Sequence, residues 1–197
     1  MAPPRIISGK ARGIRLRMVP GDTTRPVTDM VKTALFNILG EDVYDSTWLD
    51  LFGGTGSIGL EALSRGAAFC RFIDLNRAPV ETIKTNLELT RLKEQGQVLQ
   101  ADALAYLSRT PDRVFDYIYV APPQYKDLWI QAMQRLDRYP GWYGAESWVI
   151  VQIDPLEYKT LELNNLAEFE TRKYGNTLLV FYERAGEQAP PDQSSIS

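Results

Sequence analysis

Residues 47–66 run from the apolar TWLDLF through the glycine-rich GGTGS into IGLEALSRG: a strand, a tight loop and a helix. A strand that breaks so abruptly into a helix opens a βαβ unit, and its crossover makes the next strand parallel. The pattern recurs. CRFID, GQVLQAD, FDYIYV and SWVIVQID read as further strands. Between them, residues 78–92 read as a helix with Pro79 in its first turn, ALAYLSRT as a short helix and LWIQAMQRLDRY as a longer one. EFETRKY and TLLVFYER close the pattern as an antiparallel pair turning through Gly175 and Asn176. The class is therefore α/β, with a mostly parallel sheet between helices on both faces.

Upstream, Thr28 or Asp29 can cap a helix through MVKTALFNIL that stops near Gly40. RIISGKARGIRLRMV, residues 5–19, mixes alternation with glycine and reads as a short β-hairpin or extended arm. PGDTTRP is a turn-rich link, and the polar tail AGEQAPPDQSSIS reads as disordered. The expected divisions are an arm over 1–24, one domain over 25–184 and a tail over 185–197.

Composition removes several chemistries. Without histidine there is no Ser-His-Asp triad, Cys-His pair or His-ligated metal. One cysteine, Cys70, forms no internal disulfide and suits a reducing, cytoplasmic setting. No apolar run approaches the roughly 20 residues of a membrane helix, and MAPPRIISGK lacks the apolar stretch of a secretory signal. Charge is uneven. Arg5, Lys10, Arg12, Arg15, Arg17 and Arg25 stand against Asp22 alone in residues 1–25, a net of +5 in a chain whose total is −3. Such a segment either attracts a polyanion or is a solvated basic arm. Trp48, Trp129, Trp142, Trp148 and Cys70 read as core, and YPGWY as a turn covering the sheet.

Gly54, Gly56 and Gly59 satisfy G-x-G-x-x-G, a pattern shared by nucleotide loops and by plain strand-to-helix turns. Asp50 narrows the choice. An acid just before the loop is awkward beside a pyrophosphate and suits a cationic ligand such as the ammonium of S-adenosylmethionine. Asp74, 18 residues after Gly56, ends the second strand where an acid accepts ribose hydroxyls. Asp102 ends the third, within reach of an adenine amino group. Each acid alone reads equally as a helix cap; three at successive strand ends line one rim of the sheet.

RIISGKARGIRL, TRPVTDMVKTALFNIL and LDLFGGTGSIGLEALSRGA together resemble the bacterial small-subunit ribosomal RNA guanine-N2 methyltransferases, over about Arg5 to Arg184. The resemblance implies the class I, Rossmann-like methyltransferase fold: a three-layer sandwich around a seven-stranded sheet with one antiparallel strand. It implies S-adenosylmethionine held by Asp50, Phe52, Gly54, Gly56, Asp74, Asp102 and Ala103, with Arg25, Thr28 and Asp29 beside the cofactor and target base. It implies that Arg5, Lys10, Arg12, Arg15 and Arg17 grip small-subunit RNA, free or in an assembling subunit, by a protein expected to be a monomer with no membrane or metal.

The departure lies in YIYVAPPQY, residues 117–125. The family pattern is Asp-Pro-Pro followed by Phe or Tyr. Here Ala121 replaces the acid, Pro122 and Pro123 remain, Gln124 replaces the aromatic and Tyr125 comes one place late. Guanine N2 is a poor nucleophile because its lone pair is delocalised, and an acceptor for its N–H groups raises its electron density. Alanine offers none through its side chain. Gln124, or the main-chain carbonyls of Ala121 and Pro122, are the expected substitutes, with Tyr125 as a stacking platform. The alternative is a catalytically silent RNA-binding or ribosome-assembly relative. A nicotinamide-dependent oxidoreductase and a DNA amino methyltransferase fit fewer of these residues.

Overall fold

The computed structural model describes residues 3–21, 27–124 and 126–186. Twelve principal elements follow one another: α1 (Asp29–Leu39), β1 (Thr47–Asp50), α2 (Ser57–Ser64), β2 (Phe69–Asp74), α3 (Arg77–Thr90), β3 (Gly96–Gln100), α4 (Ala103–Leu107), β4 (Phe115–Val120), α5 (Leu128–Arg138), β5 (Tyr143–Ile153), β6 (Leu166–Tyr174) and β7 (Thr177–Arg184). The seven strands form one sheet in the order β3-β2-β1-β4-β5-β7-β6, with only β7 antiparallel to its neighbours. This is the class I methyltransferase arrangement expected from the sequence.

Alternation along each strand splits the interior into two cores. Trp48, Phe72, Tyr117, Tyr119 and Ile150 face α1, α2 and α3; Leu49, Ile73, Ile118, Val149 and Val151 face α4 and α5. Trp48 is fully buried between Phe36, at 5.7 Å between ring centroids, and Tyr117, at 4.8 Å. Such aromatic pairs each contribute about 0.5–1.5 kcal/mol beyond area burial. Trp129, Trp142 and Cys70 are buried as expected, and Trp148 packs against the first core. Among the described residues no helix is long and apolar enough to cross a membrane.

Three expectations need adjustment. β5 begins at Tyr143, inside the stretch read as a turn, because a register slip opposite Phe115 and Tyr117 accommodates the extra residues. Asp102 lies beyond β3, which ends at Gln100, and is the N-cap of α4. The N-terminal segment folds back as a short, irregular antiparallel pair rather than a named strand pair: Arg5 and Arg15 bridge, Ile6 N–H donates to Ile14 O at 2.9 Å, Gly13 N–H to Ile6 O at 2.8 Å and Leu16 N–H to Pro4 O at 2.8 Å, while the N–H groups of Ile7, Ser8 and Ala11 turn to α2. The tail from residue 187 and the segment 22–26 lie outside the described residues.

The segment is held from beneath by polar side chains. Glu61 of α2 accepts the Ile7 N–H at 2.8 Å and the Ser8 N–H at 3.0 Å. Ser64 accepts the Ala11 N–H at 2.9 Å and donates to Ser8 O at 2.6 Å. Lys32 of α1 donates to Arg5 O and, at 3.1 Å, to Ser57 Oγ. Ile6, Ala11 and Leu16 then join the first core. Contact is so close at Gly9 that a Cβ would lie 1.8 Å from Ser64 O. The arm is thus part of the domain's packing rather than an appendage.

Candidate active site

The C-terminal ends of β3, β2, β1 and β4 lie side by side, so the sheet brings together what the sequence scattered. Along one rim stand Asp102 after β3, Asp74 ending β2, Asp50 and the glycine loop after β1, and Ala121 to Gln124 after β4. Main-chain bonds tie the row: Gly53 N–H donates to Ile73 O at 2.8 Å, Leu51 N–H to Tyr119 O at 3.0 Å and Ala101 N–H to Asp74 O at 2.9 Å.

The three acids differ in environment. Asp74 is half-buried; its Oδ2 accepts the Gly54 N–H at 3.1 Å and its Oδ1 accepts the Asn76 N–H at 3.0 Å. A carboxylate has about four acceptor sites, so both oxygens keep capacity for a ligand. Asp102 is exposed, and its Oδ1 accepts the Ala105 N–H at 2.7 Å. Asp50 is only 2% exposed. Burial pushes its carboxyl up to about 8, the charge of Asp74 adds to this, and the Gly59 and Phe52 main-chain N–H groups oppose it. Asp50 therefore braces the loop from behind.

Of the remaining expected residues, Phe52 and Gly54 are half-buried on the loop, while Gly56 and Ala103 are buried. Gly54 has φ +54°, and the nearest neighbour to a Cβ there is Phe52 O at 4.0 Å, so this face of the loop lies open. Thr28 caps α1, its Oγ1 accepting the Val31 N–H at 3.3 Å. Asp29 pairs with Arg5 Nε at 2.7 Å, which engages one expected RNA contact with one expected cofactor contact. Lys10, Arg12, Arg15 and Arg17 are exposed, and none forms an ion pair among the described residues. Pro122 is half-buried; Pro123 and Gln124 are exposed. Arg25 and Tyr125 lie outside the described residues.

Two residues escaped the sequence reading. Asn86 of α3 is fully buried and bridges arm and loop: its Oδ1 accepts the Arg17 N–H at 2.7 Å, and its Nδ2 donates to Arg17 O at 3.1 Å and Thr55 O at 2.9 Å. The only signal was an amide on the apolar side of a helix. Gln152 of β5 lies one step past the Val120–Val151 pairing, beside Ala121. Its Oε1 accepts the Tyr119 hydroxyl. Burial, then the Asp50 charge, pushes that phenol well above its ordinary range, so it remains a donor. The signal was a single glutamine in the apolar run WVIVQI.

The model of the family described as Conserved hypothetical protein 95 matches residues 4–183. YlbH of Bacillus subtilis is 34% identical over 184 residues, 92% of this chain and 100% of that protein. The Escherichia coli K12 protein named Ribosomal RNA small subunit methyltransferase D is 34% identical over 150 residues, 75% of this chain and 73% of the relative. Among solved structures, that of Escherichia coli yhhF superposes with a TM-score of 0.81 at 30% identity, covering 92% of this chain and 97% of that one. These names lend no support to the silent RNA-binding alternative.

Proposed function

The chain belongs to the family described as Conserved hypothetical protein 95, and from that membership we propose an S-adenosylmethionine-dependent methyltransferase acting on the exocyclic N2 amino group of a guanine in small-subunit ribosomal RNA. The observation that carries the reading is Asn86. One buried amide ties the arm, at Arg17, to the glycine loop, at Thr55, so the C-terminal limb of the arm is held against the loop. A polyanion drawn to the arm's cations, Lys10, Arg12, Arg15 and Arg17, would follow that limb toward the rim.

The residues on the rim fit the donor. Asp74 would hold ribose hydroxyls, Asp102 and Ala103 the adenine, and Phe52, Gly54 and Gly56 the face left open by the loop. When bound, S-adenosylmethionine supplies an electrophilic methyl group on a sulfonium. The protein's own task is to hold the weakly nucleophilic amine in line with it, which is positioning and local electrostatics. Gln124 Oε1 or the carbonyls of Ala121 and Pro122 accept the amine's N–H groups, and Tyr125 stacks on the base. The displaced proton passes to solvent.

The test incubates the protein with methyl-labelled S-adenosylmethionine and unmodified small-subunit particles, then identifies the labelled nucleoside. Label in N2-methylguanosine is expected. Label in another nucleoside, or none where a competent family enzyme labels the same particles, overturns the proposal.

A further inference from the structure

Gln152 stands beside the one position of the rim where the motif carboxylate is absent. β4 and β5 pair in parallel register up to Val120 and Val151, so the next step along both chains sets Ala121 against Gln152. Adjacent strands lie about 4.8 Å apart and paired residues share a face, which makes the two side chains neighbours. That face is the one of Tyr119 and the first core, against which Ala121 packs. There Gln152 Oε1 accepts the Tyr119 hydroxyl.

That bond leaves most of the amide unused. A carboxamide offers two lone pairs on oxygen and two N–H groups on nitrogen, and the phenol engages one lone pair. Gln152 Nε2 donates to no acceptor among the described residues, and the residue is half-buried rather than sealed. An aspartate at position 121 would stand next to these N–H groups and bind them; alanine offers them nothing through its side chain. Tyr119 is buried, and burial, then the Asp50 charge, keeps the proton on its phenol. The hydroxyl therefore donates to the amide oxygen and leaves the nitrogen free.

We propose that Gln152 reads the target base: its Nε2 donates to a ring nitrogen, and the second lone pair of its Oε1 accepts an N–H of the exocyclic amine alongside. The step rests on the function proposed above and adds a contact to it. A guanine amine carries two N–H groups; the acceptors after β4 take one and Gln152 takes the other. An amide matches an amine beside a ring nitrogen, donor to acceptor and acceptor to donor. In guanine that pair is N2 and N3. Hypoxanthine keeps the ring nitrogen and lacks the amine, so it forms half the contact. The amide takes up no proton. It orients the amine for in-line approach, and the displaced proton still passes to solvent. Tyr119 touches no substrate and is a positioning residue, holding the amide oxygen in place. Ala121 is the condition for the contact, because its methyl group leaves the amide nitrogen to the base.

The test titrates the full chain, saturated with S-adenosylhomocysteine, with guanosine monophosphate and with inosine monophosphate, which differ by the 2-amino group alone. Wild type is expected to prefer guanosine monophosphate about tenfold or more. Gln152→Ala should bring that ratio to about two or less, and Tyr119→Phe, which lets the amide turn, should reduce it about threefold. Thermal melts and S-adenosylhomocysteine affinity verify that both variants keep the fold and the cofactor site. A side chain that merely stiffened β5 would move those two measurements and leave the ratio alone. Where Gln152→Ala does not fold, the ratio in Tyr119→Phe decides. No preference in wild type, or an unchanged ratio in the variants, overturns the proposal. The titration involves no methyl transfer, so its failure is distinguishable from failure of the labelling experiment.

Discussion

Lys32 Nζ and Glu61 Oε2 lie 3.5 Å apart, and both side chains are fully buried. Burial lowers the lysine's pKa, and Glu61, by charge and hydrogen bond, works to restore it. Glu61 also pairs with Arg65 at 2.8 Å and accepts two arm N–H groups. Glu61→Gln leaves a buried ammonium without its counter-charge, a loss that costs about 3–5 kcal/mol. Urea unfolding should show that loss, and limited proteolysis should cut first within residues 5–19. A change below about 1 kcal/mol would contradict the role given to this pair.

Asp50 makes stability depend on pH. Its carboxyl titrates at about 8 in the fold against an ordinary 3.8. Between those values the folded protein keeps a proton that the unfolded chain has lost. Stability contributed by this group therefore falls as pH rises through the window, by at most about 1.4 kcal/mol per unit. Asp50→Asn should flatten the curve and be the more stable form toward its upper end. Parallel curves for the two proteins would show that Asp50 is ionised in the fold.

Asn86→Ala should uncouple arm from loop. It leaves the Arg17 N–H and the Thr55 carbonyl without their partner, at about 1–3 kcal/mol for each group left unsatisfied. The expected kinetic signature is a rise in KM for RNA larger than the fall in kcat. A fall in kcat alone would place its effect in the chemistry.

Lys10, Arg12, Arg15 and Arg17 should report through salt. Each alanine substitution that frees one phosphate from its cation reduces the slope of log affinity against log salt by roughly 0.7–0.9. Arg5, already paired with Asp29, should change the slope less than Arg12 or Arg15.

Gln124→Ala should lower kcat about tenfold or more if its amide is the acceptor for the target amine. Normal turnover would assign that task to the carbonyls of Ala121 and Pro122. Ala121→Asp should raise turnover in either case.

The strand and helix order was legible because burial on two faces imposes period-2 alternation on the strands, as in the row Trp48, Leu49, Asp50. β5 was read short because Gly144, Ala145 and Glu146 interrupt that alternation where the register slips. The rim acids were legible because strand ends are local features. Their individual duties were not: nothing local distinguishes Asp50, sealed behind the loop, from Asp102, which faces solvent and caps α4. Asn86 and Gln152 stayed hidden because each partner is remote in sequence and one polar residue on an apolar face has no period.

The docking of the arm sets an order of events during synthesis. Chains emerge from the ribosome N-terminus first, yet Ile7, Ser8 and Ala11 wait for partners 53 or 54 residues later, and Arg17 for one 69 residues later. Until α3 has been made, the basic segment is a tether of no fixed shape. Under the proposed function, a nascent chain would hold RNA only loosely, and the shaped grip would arise together with the loop beside it.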